Sequence, residues 1–111
     1  MKAVIYCRIS SWSQAKGDGL RRQLDCCMGF AADNGYDVAA VFSEVASGGG
    51  ALPSRETAER VARGLGAKIL VESPDRWSRG AGSYADPKRV EFCSREYRDF
   101  ERRLGELLRS R

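Results

Sequence analysis

The sequence predicts a three-layer α/β domain with a mainly parallel central sheet, followed by a C-terminal amphipathic helix. A length of 111 residues suits one domain with a single core. Three near-continuous apolar segments are typical of strands that are buried on both faces, as in a parallel sheet. These segments are residues 3–9, 36–42 and 67–72. Two segments with apolar residues at helical spacing, 20–34 and 54–65, alternate with them, so the predicted order is β-α-β-α-β.

The two predicted helices begin and end at residues that suit those positions. The first helix is predicted to end at Asn34-Gly35, because glycine readily adopts the left-handed conformation found at helix ends. The second is predicted to begin at Ser54, a capping residue that an acidic first turn follows, and to end at Gly66. Each helix therefore connects one predicted strand to the next.

A last helix is predicted over residues 87–109, with Pro87 at its first position. Its apolar residues recur at alternating steps of three and four, as in a coiled-coil repeat. They are Val90, Cys93, Tyr97, Phe100, Leu104 and Leu107. Both a helix packed on its own sheet and a helix that pairs with another chain show this pattern, and the sequence leaves both open. We divide the chain into an α/β domain over 1–86 and a basic C-terminal helix over 87–111.

The net charge of +4 comes from the last third of the chain. Residues 1–75 carry nine Lys/Arg and nine Asp/Glu, whereas residues 76–111 carry ten Lys/Arg and six Asp/Glu. A basic segment indicates a polyanionic partner, although a solvated helix face gives the same pattern. Because no apolar run is long enough to span a membrane and no secretion signal follows Met1, we expect a cytoplasmic protein without membrane contacts.

Histidine is absent, which excludes a nucleophile activated by histidine and a metal site built on histidine. The cysteines form no Cys-x-x-Cys pair, so we expect buried, reduced thiols rather than metal ligands. They are Cys7, Cys26, Cys27 and Cys93.

Polar side chains follow the predicted strands at their carboxyl ends. Arg8 and Ser10 end the first strand, Glu44 follows the second, and Asp75, Arg76 and Arg79 follow the third. Because these ends share one edge of a parallel sheet, we expect a serine hydroxyl and three arginines there. Arginine binds two phosphate oxygens at once and offsets the charge of a pentacoordinate transition state. The set therefore suits a serine that attacks a phosphodiester, although a lone serine after a strand is more often a turn or cap residue.

Four motifs follow one another along the chain: Tyr6-Cys7-Arg8-Ile9-Ser10-Ser11, residues 42–48, Ser54-Arg55-Glu56 and Asp75-Arg76-Trp77-Ser78-Arg79. In this order they resemble motifs of the serine site-specific recombinases, the family of resolvases, invertases and large serine integrases. The first resembles the segment that holds the family's nucleophilic serine, and the second resembles its acidic loop. The third resembles the start of its second helix, and the fourth is similar to its Asp-Arg-Leu-x-Arg signature. Trp77 stands where the family usually has a smaller aliphatic residue. The motifs span residues 3–79, about seven-tenths of the chain.

The resemblance implies a DNA strand-exchange reaction that needs no metal or cofactor, because a phosphoserine conserves the bond energy for religation. Ser10 would attack a DNA phosphate and form a 5′-phosphoserine link. Three arginines, Arg8, Arg76 and Arg79, would hold the phosphate with help from Arg55, and Asp75 would orient an arginine or protonate the leaving oxygen. Gln14, Gln23, Tyr6 and Glu44 would support the site.

The chain departs from the family after Arg79. The family continues with a further strand, a long dimer helix and a separate DNA-binding domain, whereas only 32 residues follow here and no fourth strand is predicted. The predicted last helix would supply oligomerisation or DNA contact, the latter through Arg89, Arg95, Arg102 and Arg103. The expected partners are DNA, further copies in a dimer or tetramer, and a full-length recombinase.

Three functions are compatible with these residues. The first is an active recombinase catalytic domain over 1–86. The alternative is a truncated or non-catalytic module that binds DNA or a full-length recombinase and needs neither Ser10 nor the arginines. A plain phosphate-binding or nucleotide-binding domain is a third reading, against which the lack of a Gly-x-Gly-x-x-Gly or Walker loop counts.

Overall fold

The computed structural model describes residues 1–10, 19–46, 51–77 and 88–109. Within these ranges the elements are β1 (Lys2–Ile9), α1 (Gly19–Asp33), β2 (Asp37–Val45), α2 (Pro53–Leu65), β3 (Lys68–Val71), α3 (Pro74–Trp77), β4 (Val90–Phe92) and α4 (Arg95–Arg109). The strands form one sheet in the order β2-β1-β3-β4, and every pairing is parallel. The predicted α/β class, with a parallel sheet and a C-terminal helix, is confirmed.

Helices cover both faces of the sheet. Successive side chains of a strand point to opposite faces, and β1 shows the consequence. Val4 belongs to a buried cluster that includes Ala58 of α2, whereas Ile5 belongs to a second cluster that includes Ala31 of α1. The domain therefore has three layers, and burial on both faces explains why β1 shows no polar alternation.

The helix ends are partly as predicted. Gly35 and Gly66 adopt positive φ angles of 72° and 63°, which confirms the two glycine stops. Ser54 does not cap α2, because Leu52 occupies the capping position and no side chain there bonds to the helix. Instead, the carboxylate of Glu44 on β2 accepts hydrogen bonds from the backbone N–H groups of Ser54 and Arg55. A neighbouring strand thus caps the helix.

The prediction of one helix over 87–109, and of no fourth strand, is wrong. Val90–Phe92 forms strand β4, in which Val90 pairs with Ile69 of β3. Helix α4 begins only at Arg95, and Ser94 caps it by accepting a hydrogen bond from the Tyr97 backbone N–H at 3.2 Å. The division of roles at residue 86 stays a prediction, although β4 joins the sheet from beyond that residue.

Helix α4 differs from the other long helices because none of its residues is buried. Four of its apolar side chains are exposed, and they are Phe100, Leu104, Leu107 and Leu108. Tyr97 is half-buried, and its ring packs edge-on against Phe92 at 5.1 Å between centroids. In the part of the chain that the structure describes, no helix combines the length and the apolar character that a membrane crossing requires.

Candidate active site at the carboxyl edge of the sheet

Strand β1 brings two predicted site residues to the carboxyl edge of the sheet. Arg8 is nearly buried, with 8% of its surface exposed, whereas Ser10 follows the strand and is exposed. Gln23 of α1 holds this end of β1: its Oε1 accepts the Arg8 backbone N–H at 3.0 Å, and its Nε2 donates to the Arg8 carbonyl at 2.9 Å. The buried amide pairs with the strand as another strand would, and it fixes the point from which the chain leaves toward Ser10.

The Arg8 side chain crosses from β1 to α3. Its Nε donates to the Arg76 carbonyl oxygen at 3.1 Å, and its Nη2 donates to the Asp75 carbonyl oxygen. In return, Nη1 of Arg76 donates to the Arg8 carbonyl oxygen at 3.3 Å. These bonds bring the predicted motifs of the first and third strands together at one edge.

The charged groups of Asp75 and Arg76 lie side by side. Asp75 accepts a hydrogen bond from the Ser73 hydroxyl, and its Oδ2 lies 3.9 Å from Nε of Arg76. Among the described residues, that Nε is a buried donor without a hydrogen-bond partner. A buried donor without an acceptor is unfavourable, and arginine offers no acceptor of its own. The arrangement fits a site that receives an acceptor-rich group such as a phosphate.

Arg55 reaches α3 from the first turn of α2. Its Nη1 donates to the Trp77 carbonyl oxygen at 2.9 Å, and its guanidinium carbon lies 4.3 Å from the centre of the Trp77 ring. Trp77 is buried, and the ring of Tyr6 packs edge-on against it at 5.7 Å between centroids. The large residue at position 77 thus fills the space between β1 and α2 and places Arg55 beside the segment that carries Arg76.

Glu44 joins three elements of the site. It accepts a hydrogen bond from the Tyr6 hydroxyl at 2.6 Å and two more from the backbone N–H groups of Ser54 and Arg55, at 2.9 and 3.3 Å. Burial, and then the hydrogen bond to Glu44, raise the pKa of Tyr6 well above its ordinary value. Tyr6 therefore stays a hydrogen-bond donor, and the carboxylate ties β1 and β2 to the helix that carries Arg55.

Replacing Glu44 is expected to destabilise the domain. Glu44→Leu leaves a buried tyrosine hydroxyl and two helix N–H groups without their acceptor, and we expect a loss of about 3 kcal/mol in the free energy of unfolding. Tyr6→Phe removes only one of the three bonds, so about 1 kcal/mol is expected. Urea unfolding measures both, with Glu56→Leu in the exposed first turn of α2 as control. Equal midpoints for Glu44→Leu and Glu56→Leu would contradict the capping role.

The thiols are free, as predicted, and three are buried, but Cys26 is only half-buried. Burial raises the pKa of Cys7 to about 12 and that of Cys26 to about 11. Hydrogen bonding to Cys93, followed by burial, raises the pKa of Cys27 strongly. Because a thiol must ionise to attack, these three cysteines are poor nucleophiles at neutral pH.

The other predicted residues are distributed over the rest of the chain. Gln14 and Arg79 lie outside the described residues. Arg89 precedes β4 at the amino edge of the sheet rather than lying on a helix. Arg95 begins α4, whereas Arg102 and Arg103 are exposed further along it, and Arg102 forms an ion pair with Asp99 at 3.4 Å.

Sequence reasoning missed an ion pair at the same edge. Glu72 follows β3, is nearly buried and pairs with Arg22 of α1. Both residues, with Ser73 and Arg95, line a cavity of about 360 Å³. The position of Glu72 and Ser73 directly after a predicted strand was a usable signal. Arg22 had none, because it lies inside a helix.

A match with a family model now defines the class of the protein. The model described as Resolvase, N terminal domain, matches residues 3–87. The chain therefore belongs to this family, and it is a serine recombinase catalytic domain by family and by fold.

Three solved structures share the fold. The C-terminal catalytic domain of ISC1926 TnpA, an IS607-like serine recombinase, is 24% identical with a TM-score of 0.71, and the match covers 99% of this chain and 82% of that one. A resolvase family site-specific recombinase from Streptococcus pneumoniae is 18% identical with a TM-score of 0.62, covering 99% and 89%. The N-terminal catalytic domain of TP901-1 integrase is 21% identical with a TM-score of 0.59, covering 95% and 99%. A search of curated proteins found no match.

Proposed function

We propose that this domain cleaves and rejoins DNA strands through a phosphoserine intermediate at Ser10. The observation that carries the proposal is the reciprocal hydrogen bonding between Arg8 and the Asp75-Arg76 segment. Arg8 lies two residues before Ser10 in the chain. It sets two guanidinium groups and an exposed hydroxyl at one sheet edge. Membership of the resolvase family supports the same reaction.

The proposed reaction exchanges one phosphoester bond for another. The Ser10 oxygen attacks phosphorus and loses its proton, while the bond from phosphorus to the 3′-oxygen breaks and that oxygen gains a proton. Arg8 and Arg76 donate to the non-bridging oxygens and stabilise the added charge, with Arg79 and Arg55 assisting. Asp75 orients Arg76 or protonates the leaving oxygen. Attack by a 3′-hydroxyl on the phosphoserine releases the serine and reverses the step, so the phosphoserine conserves the bond energy and rejoining needs no energy-supplying cofactor.

A covalent trap tests this reaction. The protein is incubated with sheared DNA of its source organism that carries random nicks. Cleavage close to a nick releases a short piece of the strand, and without that piece the strand cannot be rejoined. Adducts that resist denaturant are collected and quantified. We expect protein linked to 5′-phosphate ends. A folded protein that binds DNA and forms no adduct would contradict the proposal and support the alternative, a non-catalytic module that binds DNA or a full-length recombinase.

We also propose that α4 is an interface between recombinase chains. Its apolar stripe is more than two-fifths exposed at Phe100, Leu104 and Leu107. A helix with no buried residue gains little from packing within its own chain, and the stripe keeps the alternating spacing of paired helices. The proposed assembly is a dimer or tetramer that acts on DNA in the cytoplasm, with basic residues Arg95, Arg102 and Arg103 of α4 near the DNA.

Leu104→Glu is expected to dissociate this assembly, because it places a charge in the apolar contact. Sedimentation velocity at several protein concentrations measures the effect, and Phe100→Glu is expected to act alike. Leu65→Glu is the matched control: Leu65 is 42% exposed and Leu104 is 44% exposed, but Leu65 lies on α2. A wild-type chain that stays monomeric at high micromolar concentration would reject the interface.

A further inference from the structure

Three arginine side chains line a groove on the α2 face of the sheet. The groove has a volume of about 270 Å³ and lies between α2, the end of α3 and the start of β4. Arg55 and Arg63 come from α2, and Arg89 precedes β4. Glu59 is the one acidic side chain among the described residues of the lining. The groove is distinct from the edge that carries Ser10, with Arg55 contacting both the groove and α3.

The positive charge of the groove is only partly neutralised. Nε of Arg55 lies 3.5 Å from Oε1 of Glu59, one helical turn away. For Arg63 and Arg89, the described part of the chain supplies neither an ion pair nor a side-chain hydrogen bond. Among the described residues of the lining, three arginines and one glutamate give a formal charge of +2. Like charges held close together favour an anion between them.

Among the described side chains that line the groove, hydrogen-bond donors outnumber acceptors. Trp77 lines it, and the indole N–H of Trp77 is a buried donor without a partner among the described residues. Arginine side chains only donate, and the Glu59 carboxylate is already paired with Arg55. A group with several acceptor oxygens and a negative charge, such as a phosphate, matches this lining.

The direction of α2 relates the groove to the site. Helix α2 leaves the carboxyl edge of the sheet near Arg55 and runs toward the amino edge, where Arg89 precedes β4. Arg63 lies eight residues after Arg55, or about 12 Å along the helix axis. At about 3.4 Å of axial rise per nucleotide, this corresponds to between three and four nucleotides of one strand. The arginines therefore extend from near the carboxyl edge of the sheet toward its amino edge, over a length comparable with a few nucleotides of one strand.

We propose that this groove binds backbone phosphates of the DNA that flank the phosphate attacked by Ser10. This proposal rests on the proposed DNA-cleaving function and extends it, because it assigns a path for the strand on the protein. The groove carries Arg63, which no sequence motif singled out, and it gives Arg89 a role apart from α4.

The test compares groove variants with a matched arginine outside the groove. The variants are Arg63→Gln, Arg89→Gln and their combination, and the control is Arg60→Gln, an exposed residue on α2 whose side chain bonds only to Thr57 among the described residues. Binding to a DNA duplex is measured by anisotropy over a range of salt. Each lost phosphate contact lowers the slope of log affinity against log salt by about one, so the double variant is expected to lose about two. Arg60→Gln is expected to keep the wild-type slope.

A second arm separates DNA from free phosphate. In a Trp12→Phe background Trp77 is the sole tryptophan, since the chain has two, and its fluorescence reports on the groove. We expect DNA to change this fluorescence at a concentration of phosphate groups at which inorganic phosphate leaves it unchanged. Saturation by inorganic phosphate with no change of the DNA slope in the double variant would overturn the proposal.

The outcomes also separate the groove from the proposed function. A wild-type salt slope in the double variant, with covalent adducts still formed, would overturn the groove alone. A second outcome would support the groove and contradict the cleavage reaction. In it, DNA binding by the wild-type chain depends on salt, the double variant lacks this dependence, and the wild-type chain forms no adduct. Equal slopes in Arg60→Gln and the groove variants would show a general charge effect and overturn the groove.

Discussion

Ser10→Ala is expected to abolish the adduct between protein and DNA that resists denaturant. The serine oxygen is the atom that forms the bond to phosphorus, and alanine offers no replacement. Buried thiols are poor substitutes, because the pKa of Cys7 is raised to about 12 and histidine is absent from the chain. Ser10 is exposed, so the fold and DNA affinity are expected to persist in the variant. The covalent trap measures the loss.

Ser11→Ala is the matched control for this prediction, because it removes an adjacent hydroxyl from the same segment. We expect it to form adducts at a rate close to that of the wild type. Adducts that persist in Ser10→Ala would remove this serine from the mechanism. Adducts lost in Ser11→Ala but kept in Ser10→Ala would identify Ser11 as the nucleophile.

Arg8→Gln is expected to slow adduct formation by roughly 10²- to 10³-fold, the effect of removing one donor that stabilises a developing charge. By the relation of about 1.36 kcal/mol per tenfold, this corresponds to about 3–4 kcal/mol of transition-state stabilisation. The guanidinium also donates to the Asp75 and Arg76 carbonyl oxygens, so its loss removes a charge and these hydrogen bonds between β1 and α3. Single-turnover trapping at saturating DNA measures the rate.

Arg22→Gln provides the comparison, since Arg22 is an arginine at the same edge that pairs with Glu72 rather than with α3. We expect its rate to fall by less than roughly tenfold, because Arg22 bonds to Glu72 and supplies no donor to the phosphate in the proposed reaction. Circular dichroism confirms that both variants are folded. If Arg8→Gln lowered DNA affinity and left the rate of the bound complex unchanged, Arg8 would be a binding residue without a role in the chemical step.

Much of the fold was predictable because its signals are local. A strand buried on both faces must be apolar throughout, and β1 could be read from residues 3–9 for this reason. Gly35 and Gly66 end their helices because glycine tolerates positive φ. The edge that gathers Arg8, Asp75 and Arg76 was also predictable, since parallel strands present their carboxyl ends together.

The errors arise where distant contacts decide the structure. Val90-Glu91-Phe92 fits both a strand and the first turn of a helix, and only pairing with β3 selects the strand. Ser54 is a residue type that commonly caps helices, but the carboxylate of Glu44, ten residues earlier, caps α2 instead. Spacing along the chain cannot reveal such partners.

The same reason explains what was missed around the site. The pair of Arg22 and Glu72 joins residues 50 positions apart. The groove joins α2 to the residue before β4, and it exists only because β4 completes the sheet beside β3. A prediction that omitted β4 could not place Arg89 in the same groove as Arg63.

The central claim, covalent catalysis by Ser10, is tested most directly by locating the bond between protein and DNA. Wild-type adducts from nicked DNA are digested with nuclease and protease, and the peptide that keeps a nucleotide is sequenced by mass spectrometry. The proposed mechanism predicts one 5′-phosphonucleotide, attached to the oxygen of Ser10. A nucleotide on any other residue, or one attached through its 3′-phosphate, would contradict it.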